Sequence, residues 1–175
     1  MNMIERKTVW SDAGLPGLVL GLIPAVTLTL GSLLNSVIFS YVLWFVKFAS
    51  CIYLMYFFMR KFASLHEEAD NSDTFRFGVA VALLSAFVYA SFYLVYVLYI
   101  HPGIFEESVR TAMENFSAYM DSNSREQLEN MLPKLPTITF FVNLGYCFLF
   151  GTVLSAIISR MVPSTNPFSD NGDTF

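Results

Sequence analysis

A chain of 175 residues is the size of a single domain, yet only 14% of it is charged, against about 25% in ordinary soluble domains. With 55% hydrophobic residues and a mean hydropathy of +0.53, it has too few polar groups to cover its own apolar surface, and the lipid bilayer is the solvent that tolerates this. The net charge of −4, with no block of basic residues, argues against nucleic acid as a partner.

Crossing a hydrocarbon core of about 30 Å takes roughly 20 helical residues. Four stretches qualify: residues 15–34, 36–59, 77–100 and 135–159. The first is uncharged and follows Arg6 and Lys7, the flank of a signal peptide. It is too long for such a peptide's apolar region, runs almost directly into the second span and ends in no small-residue cleavage site. It is therefore expected to stay as a membrane helix. Gly17, Gly21 and Ala25 recur at four-residue spacing on one face and open with GxxxG. Pro24 removes the backbone bond to Leu20, and Gly21 just before it eases a bend. Such a bend lines a binding site in some transporters, although most membrane prolines only kink their helix. Gly31, Ser32, Asn35 and Ser36 then supply turn chemistry for a tight antiparallel hairpin.

The second span holds one charge, Lys47, eleven residues from Ser36 and twelve from Met59, near the midplane. An ammonium at that depth is costly and by default suggests function. No span contains an Asp or Glu to pair with it, as a proton relay or ion-coupled carrier would. Lys47 is left to snorkel, to face a polar cavity, or to contact Tyr89, Asn143 or Tyr146. In a cavity, a lone cation would attract a lipid headgroup or another anionic ligand.

The third span is uncharged and carries Gly78, Ala82, Ala86 and Ala90 at strict four-residue spacing. Tyr89, Tyr93 and Tyr96 share one of its sides. The fourth lies between Lys134 and Arg160, with Gly151, Ser155 and Ser159 as its small-residue stripe and Asn143 and Tyr146 as its polar members. Hydrogen-bonded glue between helices is the ordinary role of such polar residues, and the stripes predict close packing within one chain or between copies. Cys51 and Cys147 fall inside apolar runs, without a Cys or His at metal-ligand spacing, and read as small buried apolar residues. Trp10, Phe57, Phe58, Phe75, Phe77 and Tyr99 cluster near span ends, some of them at headgroup depth.

Residues 101–134 form the longest connection. After His101-Pro102-Gly103, apolar residues at Phe105, Val109, Ala112, Met113, Phe116 and Met120 follow helical spacing, with Glu106, Glu107, Arg110, Glu114 and Asn115 between them. Asp121-Ser122-Asn123 interrupts this pattern. Ser124 and Gln127 then resemble a capping box for a second short helix, with Leu128, Met131 and Leu132 on its apolar side and Pro133 at its end. The six acids of the loop match no calcium-loop spacing and read as a solvated face. His66 and His101 lack partners for catalysis or metal binding. Basic residues resist translocation. An inside N-terminus places Arg6, Lys7, Arg60, Lys61, Arg76 and Arg160 in the cytoplasm and Arg110, Arg125 and Lys134 outside, which favours both ends in.

The run Phe57-Phe58-Met59-Arg60-Lys61 closes the second span and Phe75-Arg76-Phe77-Gly78 opens the third. Tyr99-Ile100-His101-Pro102-Gly103-Ile104-Phe105-Glu106-Glu107 leaves the third, and the last span runs into Arg160 and Pro163. In these edges, over roughly residues 10 to 163, the chain resembles domain of unknown function 4199, small four-helix membrane proteins found mainly in Bacteroidota. The resemblance implies a bacterial inner-membrane location and brings no known activity and no functional residue.

The expected fold is an all-α integral membrane bundle of four transmembrane helices in one domain, residues 1–163. It carries an amphipathic helical extracytoplasmic loop at 101–134 and a flexible cytoplasmic tail at 164–175. No cofactor, metal or catalytic residue is expected, since intramembrane chemistry needs paired nucleophiles, bases or ligands. Two functions fit. One is a non-enzymatic accessory or structural protein that packs through its stripes with itself or another membrane protein. The other is a small-molecule or lipid-binding carrier with a cavity near Lys47, its candidate ligand or packing site being Lys47, Tyr89, Asn143 and Tyr146.

Overall fold

The computed structural model describes residues 6–33, 37–66, 69–116 and 121–162, among which there is no strand. Four long helices, α1 (Arg6–Leu33), α2 (Val37–Leu65), α3 (Asn71–Val95) and α6 (Leu135–Met161), carry the apolar sequence. A π turn, Tyr96–Ile100, prolongs α3; α4 (Ile104–Phe116), α5 (Ser122–Met131) and a 3-10 turn, Leu132–Lys134, lead into α6. The stretches Val9–Leu33, Ile38–Leu65, Asn71–Ile100 and Leu132–Met161 are each long and apolar enough to cross a membrane. The chain is an all-α, multi-pass membrane protein.

The helices outrun the apolar spans, because a helix ends where its backbone groups find other partners and not where the side chains turn polar. α1 begins at Arg6, and α3 begins at Asn71. Asp70 explains the latter start: its Oδ1 accepts the Asp73 backbone N–H at 2.7 Å, and its carbonyl accepts the Thr74 hydroxyl at 3.0 Å. α5 starts at Ser122, two residues before the Ser124 expected to cap it, and Pro133 sits inside the 3-10 turn that runs straight into α6. Asn35, Ser36, Met120 and the tail beyond Val162 lie outside the described residues.

The chain divides into two compact units. The first holds α1, α2, α3 as far as Tyr89 and α6 from Leu144. Its core is Val9, Ala13 and Leu20 of α1, Met55, Met59 and Phe62 of α2, Phe77, Ala80 and Val81 of α3, and Ile158 of α6. The glycine stripes set the spacing of these helices. A Cβ on Gly17 would stand 2.5 Å from Leu84 Cβ, and one on Gly21 would stand 2.7 Å from the Ser85 carbonyl oxygen. On the other side of α3, a Cβ on Gly151 would stand 2.6 Å from Ala82 Cβ, and one on Gly78 would fall on the Ser155 hydroxyl. The stripes of α3 and α6 thus meet each other, while the glycines of α1 meet Leu84, Ser85 and Val88 on another side of α3, which lies between the two helices. Phe77, expected near a span edge, is a core residue at 2% exposure, its ring stacked on Phe62 at 4.3 Å and 7°.

The second unit runs from Ala90 to Asn143. Tyr96 and Val97 of the π turn are buried, and the His101 backbone N–H closes that turn onto the Tyr96 carbonyl at 2.9 Å. Along α4, Val109 is buried and Ile104, Phe105 and Met113 are half-buried, while Glu106, Glu107, Arg110, Glu114 and Asn115 are exposed. Arg110 and Glu114 pair at 3.8 Å across one turn; both are well exposed, so the pair adds little stability.

Candidate functional site

Lys47, expected near the midplane of a span at 36–59, lies nine residues from the start of the apolar stretch Ile38–Leu65 and eighteen from its end, on a helix whose composition leaves it little polar company. α2 reads VIFSYVLWFVKFASCIYLMYFFMRKFASL, rich in aromatic and β-branched residues that a watery fold places in strands. In lipid the backbone must satisfy its own hydrogen bonds, and the run is helical. Helical spacing puts Trp44 and Phe48 one turn apart, with ring centroids at 4.6 Å. Phe48 meets Phe150 of α6 edge-on, at 5.6 Å and 88°, and Phe150 stacks on Tyr146 at 6.4 Å and 17°. These four rings form a ladder from α2 to α6.

Lys47 is half-buried beside the ladder, its Nζ 5.3 Å from the centre of the Phe48 ring. The thiols of Cys51, one turn further along α2, and Cys147 on α6 are within its electrostatic reach. Among the described residues no carboxylate lies within ion-pairing distance of it; the ion pairs are Arg76 with Asp73 and Arg110 with Glu114, and His66 lies close to Asp12. A cation over one aromatic face is worth about 0.5–2 kcal/mol. Placing a lysine at the centre of a spanning helix costs about 2.5–3.5 kcal/mol on insertion scales. The ring contact leaves part of that cost unmet.

The structure thus links Lys47 to Tyr146 through Phe48 and Phe150. Tyr146 itself is exposed. Tyr89 is half-buried on α3, and Asn143 is half-buried on the first part of α6, in the second unit. Among the described residues, no three His, Cys, Asp or Glu side chains gather to hold a metal ion.

Two polar contacts between helices were not expected from the sequence. His66, at the end of α2, places Nε2 3.3 Å from Asp12 Oδ2 of α1, and its ring leans on Phe62 at 4.6 Å. The Ser155 hydroxyl of α6 donates to the Phe75 carbonyl of α3 at 3.2 Å. The only signals in the sequence were one acid at the start of an apolar run and one histidine at the end of another. Nothing local pairs residues so far apart. Ser155 was visible as a member of a small-residue stripe, but its hydrogen bond across helices was not.

The family described as "Protein of unknown function (DUF4199)" matches residues 14–162, most of the chain. No curated protein matches it, and no solved structure does.

Proposed function

We propose that this chain, which belongs to the DUF4199 family of proteins of unknown function, is a non-enzymatic accessory protein of the bacterial inner membrane. It works by lateral contact with another membrane protein, with both ends in the cytoplasm and α4 and α5 outside. One observation carries this reading. The small-residue seams that bring membrane helices together are occupied inside the chain, whereas α2 leaves Ile38, Tyr41, Trp44, Phe45 and Tyr53 on its surface. Of these residues only Trp44 shares the Lys47 side of α2 by helical spacing; lipid tails solvate an aliphatic face but offer nothing to that ammonium.

Replacing Tyr41, Trp44 and Phe45 together by Leu keeps the face apolar and removes its shape. Extracted from its own membrane in native nanodiscs, the wild type is expected to run larger than one chain, and the triple variant as a single chain. A wild type that already runs as one chain rejects the accessory reading. The orientation follows from the basic residues at the ends of α1, α2, α3 and α6. Intact spheroplasts should label Glu106→Cys, but not Ser64→Cys, with an impermeant maleimide. The opposite labelling reverses the topology.

The half-burial of Lys47 beside the ring ladder favours a second reading, a carrier for an anionic lipid or small molecule. Lipid binding left unchanged by Lys47→Leu removes it.

A further inference from the structure

Lys47 sets a chemical condition on whatever lies against its face of α2. The chain has fourteen acids, but none between residues 13 and 66, none between 74 and 105 and none between 130 and 169. None of its own apolar spans therefore brings a carboxylate to the depth of Lys47. Snorkelling is a poor escape. Ile38, where the apolar stretch of α2 begins, is nine residues away, about 13 Å at 1.5 Å per residue, and the lysine stem covers less than half of that. The ammonium lies below that end of the apolar stretch, over the Phe48 ring, which meets the exposed Trp44 on α2 and Phe150 on α6; Phe150 in turn stacks on the exposed Tyr146.

Three occupants are open to such a face. A second copy of the chain brings only another lysine to this depth, and like charges repel. An anionic phospholipid keeps its phosphate at the headgroups, about 15 Å from the midplane. A spanning helix of another protein with an acid in mid-membrane supplies the missing charge at the right depth, and intramembrane charges characteristically pair in this way. We propose that the Lys47 face of α2, bordered by Trp44, Phe48, Phe150 and Tyr146, docks a transmembrane helix of a different protein that carries an Asp or Glu carboxylate at mid-membrane depth. This rests on the accessory reading above and gives its partner a chemical identity.

The test uses the full chain in phosphatidylcholine bilayers with a labelled, leucine-rich spanning peptide carrying one central Glu, and the same peptide with Leu or Lys there. Energy transfer between donor-labelled protein and acceptor-labelled peptide reports association at alkaline pH. The Glu peptide should bind the wild type about tenfold more tightly than the Leu peptide. Lys47→Leu should erase that preference, and Lys47→Glu should transfer it to the Lys peptide. Leu149 is lipid-exposed and next to Phe150, which touches Phe48, so it lies near the depth of Lys47. If the double variant Lys47→Leu with Leu149→Lys recruits the Glu peptide as well as the wild type does, any lysine at that depth suffices and the assigned surface falls.

Equal binding of the Glu and Leu peptides to the wild type also overturns the proposal. So does loss of Glu-peptide binding when phosphatidylglycerol is added, which makes lipid the occupant. Self-association of the wild type that disappears in Lys47→Leu makes it a second copy. If the Glu peptide fails while the native complex still runs larger than one chain, only the carboxylate assignment is lost. If that complex is also a single chain, the accessory reading fails with it.

Discussion

The two halves of α2 are both rich in large apolar side chains, yet they live by different rules. In the second half Met55, Met59, Phe62 and Ala63 are buried; in the first half Ile38, Tyr41, Trp44 and Phe45 are exposed. In water, that much apolar surface would be driven inward wherever it lay. In lipid the drive is absent, and a face is buried only where its neighbours allow close approach. The second half has such neighbours. Met59 Cε lies 3.1 Å from where a Cβ on Gly78 would stand, and Ser155 of α6 packs against the same glycine. The first half meets α6 through the ladder of Trp44, Phe48, Phe150 and Tyr146, and leaves Ile38, Tyr41 and Phe45 exposed.

If this contrast is right, the largest loss of stability should come from the ring at the centre of the closed half. Phe77→Ala removes a fully buried side chain and its stack on Phe62. Such truncations cost about 3–5 kcal/mol in water-soluble cores. In lipid the transfer part is small, which leaves the cavity and the lost contacts, so the lower end, about 3 kcal/mol, is expected. Thermal unfolding in detergent micelles should show a fall of about 6–12 °C. A fall of a degree or less would mean that the closed half is not closed.

A smaller loss probes how the same end is held. Asp70→Ala removes the acceptor of the Asp73 backbone N–H at the start of α3. About 1 kcal/mol is expected, the usual worth of a helix N-cap. Asp70→Asn should keep most of it, because an amide oxygen accepts the same bond. Equal destabilisation by the two changes, in the same unfolding measurement, would show that the carboxylate acts by its charge and not as a cap.

The legible part of this protein was the part written locally. Four apolar runs, the capacity of Gly17, Gly21, Gly78 and Gly151 for close approach, and an unpaired lysine in mid-span can all be read along the chain, because each follows from composition and spacing. The partners of those features were not. That Gly78 meets Ser155, and that Lys47 lies against a ladder continued by α6, depends on how helices far apart in sequence are rotated about their axes. Rotation is poorly encoded when every side of a helix is apolar, since no polar face marks the outside. α4 is the counter-example. Its buried Val109 and exposed Glu106, Glu107 and Arg110 follow the alternation of apolar and charged residues along it.

The smallest expected effect is the sharpest test of the contrast, because it asks a large aromatic side chain to matter little. Phe45 is 70% exposed, so Phe45→Ala should change stability by no more than about 0.5 kcal/mol in detergent, where no partner is present. A loss near that of Phe77→Ala would mean that the face is packed against something the isolated chain already provides. Stability unchanged in detergent, together with a smaller complex from native membranes, would separate the two duties. The closed half would then hold the fold, and the open half would hold the neighbour.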